Sequence, residues 1–202
     1  KARRPIFRYP PYPKQETRRR IVACAARRFR DEGYGPASVA DIMSDAGLTH
    51  GGFYAHFGSK EELLAEAIPH AADEALTALT PVGEQRGREW LGDFVSLYLS
   101  EQHWSDRAEG CPLAALGGEV ARGGELPRAS YGASVASFAD ALAARLDGPE
   151  QWREETAQTV MSMCVGALVL ARAGMDRREA RALFEACRRT ARRLGEAGGA
   201  RR

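Results

Sequence analysis

Long apolar runs are scarce in this chain of 202 residues. The strongest, Val160 to Ala171, is interrupted by Ser162 and falls short of the ~18 residues that a membrane span needs. No basic segment followed by an apolar stretch and a small-residue cleavage site stands near the start, so neither a membrane nor a secreted protein is expected. Cysteine is sparse and dispersed: Cys24, Cys111, Cys164 and Cys187 form no CxxC pair, and no histidine stands at ligand spacing to them. That pattern excludes a zinc site and a disulfide framework, and it fits free thiols in a reducing cytoplasm. Also missing are a G-x-S-x-G elbow, a Walker loop and an H-E-x-x-H pair, while the four histidines (His50, His56, His70, His103) are scattered. No catalytic residue, metal or cofactor is therefore nominated, and the chain does not read as an enzyme. Alternating strand patterns are absent beyond a few residues, so the expected fold is all-α.

Charge is present in both signs and unevenly placed. The whole chain carries a formal +2. Residues 1–60 hold twelve Lys and Arg against five acids, a net +7, and the remainder holds seventeen against twenty-two, a net −5. A basic end on an acidic body suits a polyanion-binding module, and a solvated basic helix accounts for it equally well.

The pattern along the chain divides it further. Residues 1–13 are basic and hold four prolines, which forbid a continuous helix; this is an arm or a disordered leader. From about Glu16, apolar residues at Ile21, Ala25 and Phe29 recur at helical spacing up to Gly33. Ser38 with Asp41, and Ser59 with Glu62, have capping-box spacing, and Thr49 stands where it would cap a third short helix. Pro69 lies inside the longer helix that follows, where a kink or break near Ile68 is expected at a cost of ~3 kcal/mol. Beyond a Pro/Gly loop at 80–87, four or five more helices follow, bringing the total to about nine.

Residues 38–57, SVADIMSDAGLTHGGFYAHF, carry the most specific arrangement. A helix of about seven residues, a glycine-containing turn and a second short helix are the parts of a helix-turn-helix, whose second helix enters the major groove. Ala40 is small enough for close helix packing, Gly47 permits the turn, and Leu48 plugs the corner.

Residues 17–64 as a whole resemble the N-terminal domain of TetR-family transcriptional regulators. The matching features are a first helix ending F-x-x-x-G-Y, then S-V-x-x-I, A-G-L, G-x-x-Y-x-H-F and S-K-E-E-L. The resemblance implies a non-enzymatic, cytoplasmic repressor. It would be a homodimer on a palindromic operator in double-stranded DNA, released by a small-molecule effector. The implied architecture is an arm (1–13), a three-helix helix-turn-helix domain (14–60) and a larger helical ligand-binding and dimerisation domain (61–202). By position, Ser38, Thr49, Tyr54, His56 and Lys60 match phosphate contacts. His50 is the candidate base reader, with Gly51, Gly52 and Ala55 allowing close approach. Gly52 stands where threonine is frequent in the family, which leaves specificity to His50, the arm and DNA shape. Arg3, Arg4 or Arg8 of the arm either enters the minor groove or makes non-specific phosphate contacts.

The C-terminal half is less legible. GCPLAALGGEVAR, residues 110–122, resembles a helix opening in one branch of the family. Phe94, Tyr98, Trp104, Leu113, Leu116, Phe138, Met161, Cys164 and Leu168 are nominated to line the effector cavity, suiting a planar, largely apolar or aromatic ligand. The alternative is a thiol- or electrophile-responsive regulator using Cys111, although no Lys, Arg or His adjoins that cysteine in sequence to lower its pKa. Two last helices, with Val160, Met163, Ala167 and Leu170 and then Leu183, Phe184, Cys187, Ala191 and Leu194, would build the four-helix dimer interface of the family.

Overall fold

The computed structural model describes residues 13–78 and 87–199. The basic arm, with Arg3, Arg4 and Arg8, and most of the 80–87 loop lie outside the described residues. Nine α-helices and one 3-10 helix are present, with no strand among the described residues, as the periodicity predicts. They are α1 (Lys14–Glu32), α2 (Val39–Asp45), the 3-10 helix η1 (His50–Ala55), α3 (Lys60–Ala78), α4 (Gly87–Tyr98), α5 (Glu101–Ser105), α6 (Pro112–Val120), α7 (Glu125–Ala143), α8 (Glu150–Gly174) and α9 (Arg177–Gly199).

Local chemistry sets the ends of the early helices. The Pro13 carbonyl accepts from the Glu16 and Thr17 amides at 2.8 and 3.1 Å, so α1 begins as soon as the proline-rich segment stops. Gly33, at φ +90°, ends it in a backbone conformation that side chains disfavour. Ser38 Oγ accepts the Asp41 amide at 3.1 Å and starts α2. Ser59 Oγ accepts the Glu62 amide at 3.0 Å, while Glu62 reaches back to the Gly58 amide at 2.8 Å. The caps predicted at Ser38 and Ser59 both form. The predicted break at Pro69 does not: α3 runs unbroken through it. Pro69 is exposed, so water can satisfy the Ala65 carbonyl that the missing N–H leaves open.

Two apolar cores result. The N-terminal one gathers Ile21, Ala25 and Phe29 of α1, Ile42 and Met43 of α2, Phe53 of η1, Phe57, and Leu63, Leu64, Ala67, Ile68 and Ala71 of α3. It extends well beyond residue 60, where the sequence boundary was drawn, because α3 continues through it. Leu116 and Val120 of α6 also belong here, so Leu116 packs in the N-terminal core and not with the other nominated cavity residues. Ala40, expected at a helix contact, is exposed; the buried small residues are Ala37 and Ala46.

The second core joins α4, α7, α8 and α9 around Phe94, Val95, Phe138, Leu142, Val160, Cys164, Leu168 and Phe184. Helix α8 is long and apolar enough to cross a membrane by length and composition, a correction to the run-length argument. Its Val160, Cys164 and Leu168 are wholly buried in this core, which accounts for that apolarity. The opposite face, with Val169 and Leu170, is exposed among the described residues.

Candidate functional site

Residues 47–56 form the exposed tip of the N-terminal core. Gly47, at φ +68°, makes the turn after α2, and its amide bonds the Ser44 carbonyl at 2.9 Å. The chain then enters η1, a 3-10 helix where an α-helix was expected, and the Thr49 side chain makes no capping bond. Two consecutive glycines weaken α-helical continuation, and a 3-10 turn needs only short runs. Phe53 is the buried anchor of η1 and stacks on Phe57 at 5.6 Å between ring centres. Gly52 is half-buried, while Thr49 just before η1 and His50, Gly51, Tyr54 and Ala55 on it are exposed, Tyr54 by 69%. The rings of His50 and Tyr54 lie 6.5 Å apart, edge to face. A Cβ built on Gly51 meets nothing within 4 Å, and one on Gly52 makes an ordinary 3.6 Å contact with Met43. The surrounding packing therefore requires neither glycine.

The remaining nominated contacts are more constrained. Ser38 is half-buried and committed to Asp41, whose carboxylate also accepts from its hydroxyl at 2.7 Å. His56 is half-buried with Nδ1 unpartnered, and burial with Lys14 and Arg18 nearby lowers its pKa, so it is held neutral. Lys60 folds back, its ammonium 4.4 Å from the Tyr34 ring and donating to the Gly35 carbonyl at 3.2 Å as well as to that of Tyr34. Burial lowers its pKa as well.

Much of the basic excess is used internally, which the charge count missed. Arg18 sits 4.0 Å over Phe57 and clamps the η1–α3 junction through Glu62, Glu66 and the His56 carbonyl. Arg20 donates to the Ala46 carbonyl at 2.7 Å, closing the end of α2. Arg28 pairs with Asp45 and Glu32, and Arg27 with Glu109. Arg30 is buried and donates to the Gly110 carbonyl at 3.2 Å and to Glu74 at 2.9 Å. The carboxylate of Glu119, on α6, accepts the Tyr34 and Gly35 amides at 2.9 and 3.1 Å, directly before α2. Helix α6 therefore grips the N-terminal core at both of its ends.

At the other end of α6 lies a cavity of about 240 Å³. The ends of α3 and α4 (Ala75, Ala78, Leu97, Tyr98), α5 with the turn after it, Cys111 and Phe138 enclose it. Of the nine nominated lining residues, Tyr98 and Phe138 are on its wall. Phe94, Leu113, Cys164 and Leu168 are packed in the surrounding core, with Met161 against it. Trp104 faces a different groove, between α5 and α9. The cavity sits toward α5, a five-residue helix with no fully buried side chain, whose weak period gave no sequence signal. Sequence distance also hid what surrounds Cys111: His103 Nε2 accepts its amide at 2.9 Å, and Arg172 donates to the carbonyls of Trp104 and Asp106 at 3.2 and 3.3 Å.

The family model for bacterial regulatory proteins, tetR family, matches residues 21–67, the N-terminal core just described. Those residues form a TetR-family domain. The chain is 42% identical over 53 residues to the uncharacterized HTH-type transcriptional regulator YdgC of Bacillus subtilis, covering 26% of this chain and 27% of that one. The chain thus spans about a quarter of the length of that curated relative. Whole-chain similarity comes from structure. A TetR transcriptional regulator from Chloroflexus aurantiacus is 26% identical with a TM-score of 0.69, covering 89% of this chain and 94% of its own. NemR of E. coli in its reduced form superposes with a TM-score of 0.71 at 20% identity, over 88% of this chain and 96% of that one, a likeness of fold. The likeness to the TetR family thus rests on the N-terminal core by sequence and on the whole helical chain by fold.

Proposed function

We propose that this chain is a DNA-binding transcriptional repressor that acts in the cytoplasm as a homodimer on a palindromic operator and is released by a small effector. The observation that carries the reading is the exposed η1 tip, where Thr49, His50 and Tyr54 surround two glycines that the fold does not need. On this reading Thr49 and Tyr54 contact phosphates and His50 reads a base edge, with Ser38, His56 and Lys60 as supporting phosphate contacts. Lys60 reaches a phosphate only by leaving the Tyr34 and Gly35 carbonyls, so its contribution is smaller than position alone implies.

The second protomer docks on α8 and α9. Val160, Ala167, Phe184, Cys187 and Ala191 are consumed inside the chain, so the interface is the opposite face: Met163, Gly166, Val169 and Leu170 of α8 with Leu183 and Ala186 of α9. Two reading heads then face successive major grooves about 34–36 Å apart, or a multiple of that. Effector binding at the α5–α6 cavity shifts α6, and through Arg30 and Glu119 the change reaches α1 and the turn before α2.

Electrophoretic titration of operator DNA tests the reading. Tyr54→Phe should weaken binding about equally on all sequences, whereas His50→Ala should also change sequence preference. Affinity should fall steeply as salt rises. Loss of equal size on every operator variant for His50→Ala removes its base-reading role.

A thiol-responsive mode at Cys111 is the second reading, favoured by the position of that cysteine on the cavity wall. Burial opposes it by pushing the thiol pKa up and suppressing the thiolate. If the mode operates, Cys111→Ser abolishes release by N-ethylmaleimide while sparing release by unreactive ligands.

A further inference from the structure

One peptide unit, between Gly110 and Cys111, is held from both sides by groups in different parts of the molecule. Its carbonyl accepts from Arg30 of α1 at 3.2 Å, and its N–H donates to Nε2 of His103 on α5 at 2.9 Å. No cis peptide bond occurs among the described residues, so this C=O and N–H point in opposite directions from one rigid plane. The two grips therefore oppose each other through a flat group that does not stretch. Gly110 and Cys111 are both buried, so water does not readily take over a bond that is lost. Sideways escape is closed as well. A Cβ on Gly110 would lie 2.8 Å from the Arg172 guanidinium and 3.1 Å from the Asp106 carbonyl, which accounts for a glycine at the head of the GCPLAALGG segment.

His103 is the grip that can be released. Its Nδ1 bonds the Tyr98 carbonyl at 2.6 Å while Nε2 accepts the Cys111 amide, so the proton sits on Nδ1 and the ring is neutral. A second proton can go only onto Nε2, where it meets the Cys111 N–H. The bond to Tyr98 survives and the bond to the peptide is lost. Groups facing the ring set how acid the medium must be. Burial disfavours the imidazolium, and the Arg172 guanidinium of α8, bonded to the Trp104 and Asp106 carbonyls, adds repulsion. The Tyr98 carbonyl and the Asp106 carboxylate act the other way, and the balance leaves the pKa below the ordinary 6.5. The Tyr98 ring lies edge-on to the imidazole at 4.7 Å, and burial keeps the Cys111 thiol neutral. Glu109 shares the cavity wall but is paired with Arg27, while α3 and α7 contribute the apolar Ala75, Ala78 and Phe138.

Resting on the repressor reading above, we propose that the Gly110–Cys111 peptide is an acid-sensitive joint between the α5 wall of the cavity and the reading head, with His103 as the positioning residue that closes it. With the joint closed, Arg30 fixes α1 against the start of α6 in the operator-binding arrangement. Once His103 is protonated, the peptide has no hold on its N–H side, the Gly110 carbonyl no longer gives Arg30 a fixed point, and the operator is held more weakly.

The test uses an operator duplex selected from random sequence on the unaltered chain. Affinity is read by fluorescence anisotropy at pH 7.5 and 5.5, and each variant is referred to its own value at pH 7.5. Titration of His50 and His56 in the reading head is common to all variants, so differences isolate His103. In His103→Gln the amide oxygen can accept the Cys111 N–H and does not titrate. This variant should retain affinity at pH 5.5 about five-fold better than the unaltered chain, the lower end of ordinary coupling between sites. In an Arg30→Met background, where the other grip is gone, the same substitution should alter the profile by less than about two-fold. By NMR of the unaltered chain, which needs no variant to fold, the Cys111 amide and Gly110 carbonyl signals should move with the His103 ring at one midpoint below pH 6.5. Identical profiles for the unaltered chain and His103→Gln overturn the joint. So does a His103 effect that survives in full in Arg30→Met, or a Cys111 amide that does not follow the His103 titration. Failure to select any duplex that binds in a salt-dependent way at pH 7.5 overturns the repressor reading instead.

Discussion

Arg30→Met should destabilise the protein by about 2–3 kcal/mol, far more than an average substitution on α1. The side chain of Arg30 is 1% exposed, and it joins α1 to the segment before α6. Three contacts are lost. The ion pair with Glu74 contributes little, because that carboxylate is 43% exposed and rehydrates once Arg30 is gone. The bond to the Ala26 carbonyl, at 3.1 Å, lies within the α1 ladder, where that oxygen keeps its helical partner. The bond to Gly110 is the costly one, since Gly110 is buried and a charge-assisted bond to a carbonyl is worth about 1.5–3 kcal/mol. Methionine preserves most of the apolar stem, so the loss reads as polar and not as a cavity. In a urea titration the midpoint should fall at unchanged slope, and the melting temperature should drop by roughly 4–12 °C. Glu74→Gln is the companion measurement and should cost less than about 1 kcal/mol. A loss below about 0.5 kcal/mol for Arg30→Met, or equal losses for both variants, would refute the assignment of the strut to the Arg30–Gly110 bond.

Gly51→Val should leave the melting temperature nearly unchanged, because its side chain enters open space, yet reduce operator affinity more than ten-fold, by roughly 1.4 kcal/mol or more; wild-type affinity would place the partner elsewhere. Leu170→Glu should yield a folded monomer by sedimentation, since Leu170 is 55% exposed and touches no core; an unchanged sedimentation coefficient moves the interface off α8. His103 is held neutral by burial, with its pKa below the ordinary 6.5, so the unfolded chain takes up its proton first as pH falls. The stability due to the neutral ring is therefore complete above pH ~6.5 and declines below it. Melting curves between pH 7.5 and 5.5 should show a shallower decline for His103→Gln, and parallel curves would exclude His103 as the titrating group.

The reading head was legible because its determinants are local. Caps at Ser38 and Ser59, the left-handed turn at Gly47 and the buried periodicity of Ile21, Ala25 and Phe29 all lie within a few residues of the elements they define. The 3-10 geometry of η1 was not legible, because a Gly-Gly pair prefers no regular helix and Phe53 anchors the turn from the core. The cavity was poorly legible for a related reason. Apolar residues at helical spacing, such as Phe94, Cys164 and Leu168, look alike whether they meet a ligand or another helix. On α9 the same ambiguity placed Phe184, Cys187 and Ala191 at an outer interface, when they are inside the protomer.

By itself the sequence determined the all-α class and the helix-turn-helix, since caps, turns and periodicity act over short distances. It also showed an excess of basic charge in the first 60 residues. Only the tertiary structure decided where that charge goes. Arg18, Arg20, Arg28 and Arg30 are drawn inward by acids and carbonyls from distant segments, because a charge taken from water must find a partner. It alone also set His103 beside Cys111 on the cavity wall, and tied that cavity through α6 to the turn before α2. These are contacts between residues far apart in the chain, and no local propensity encodes them.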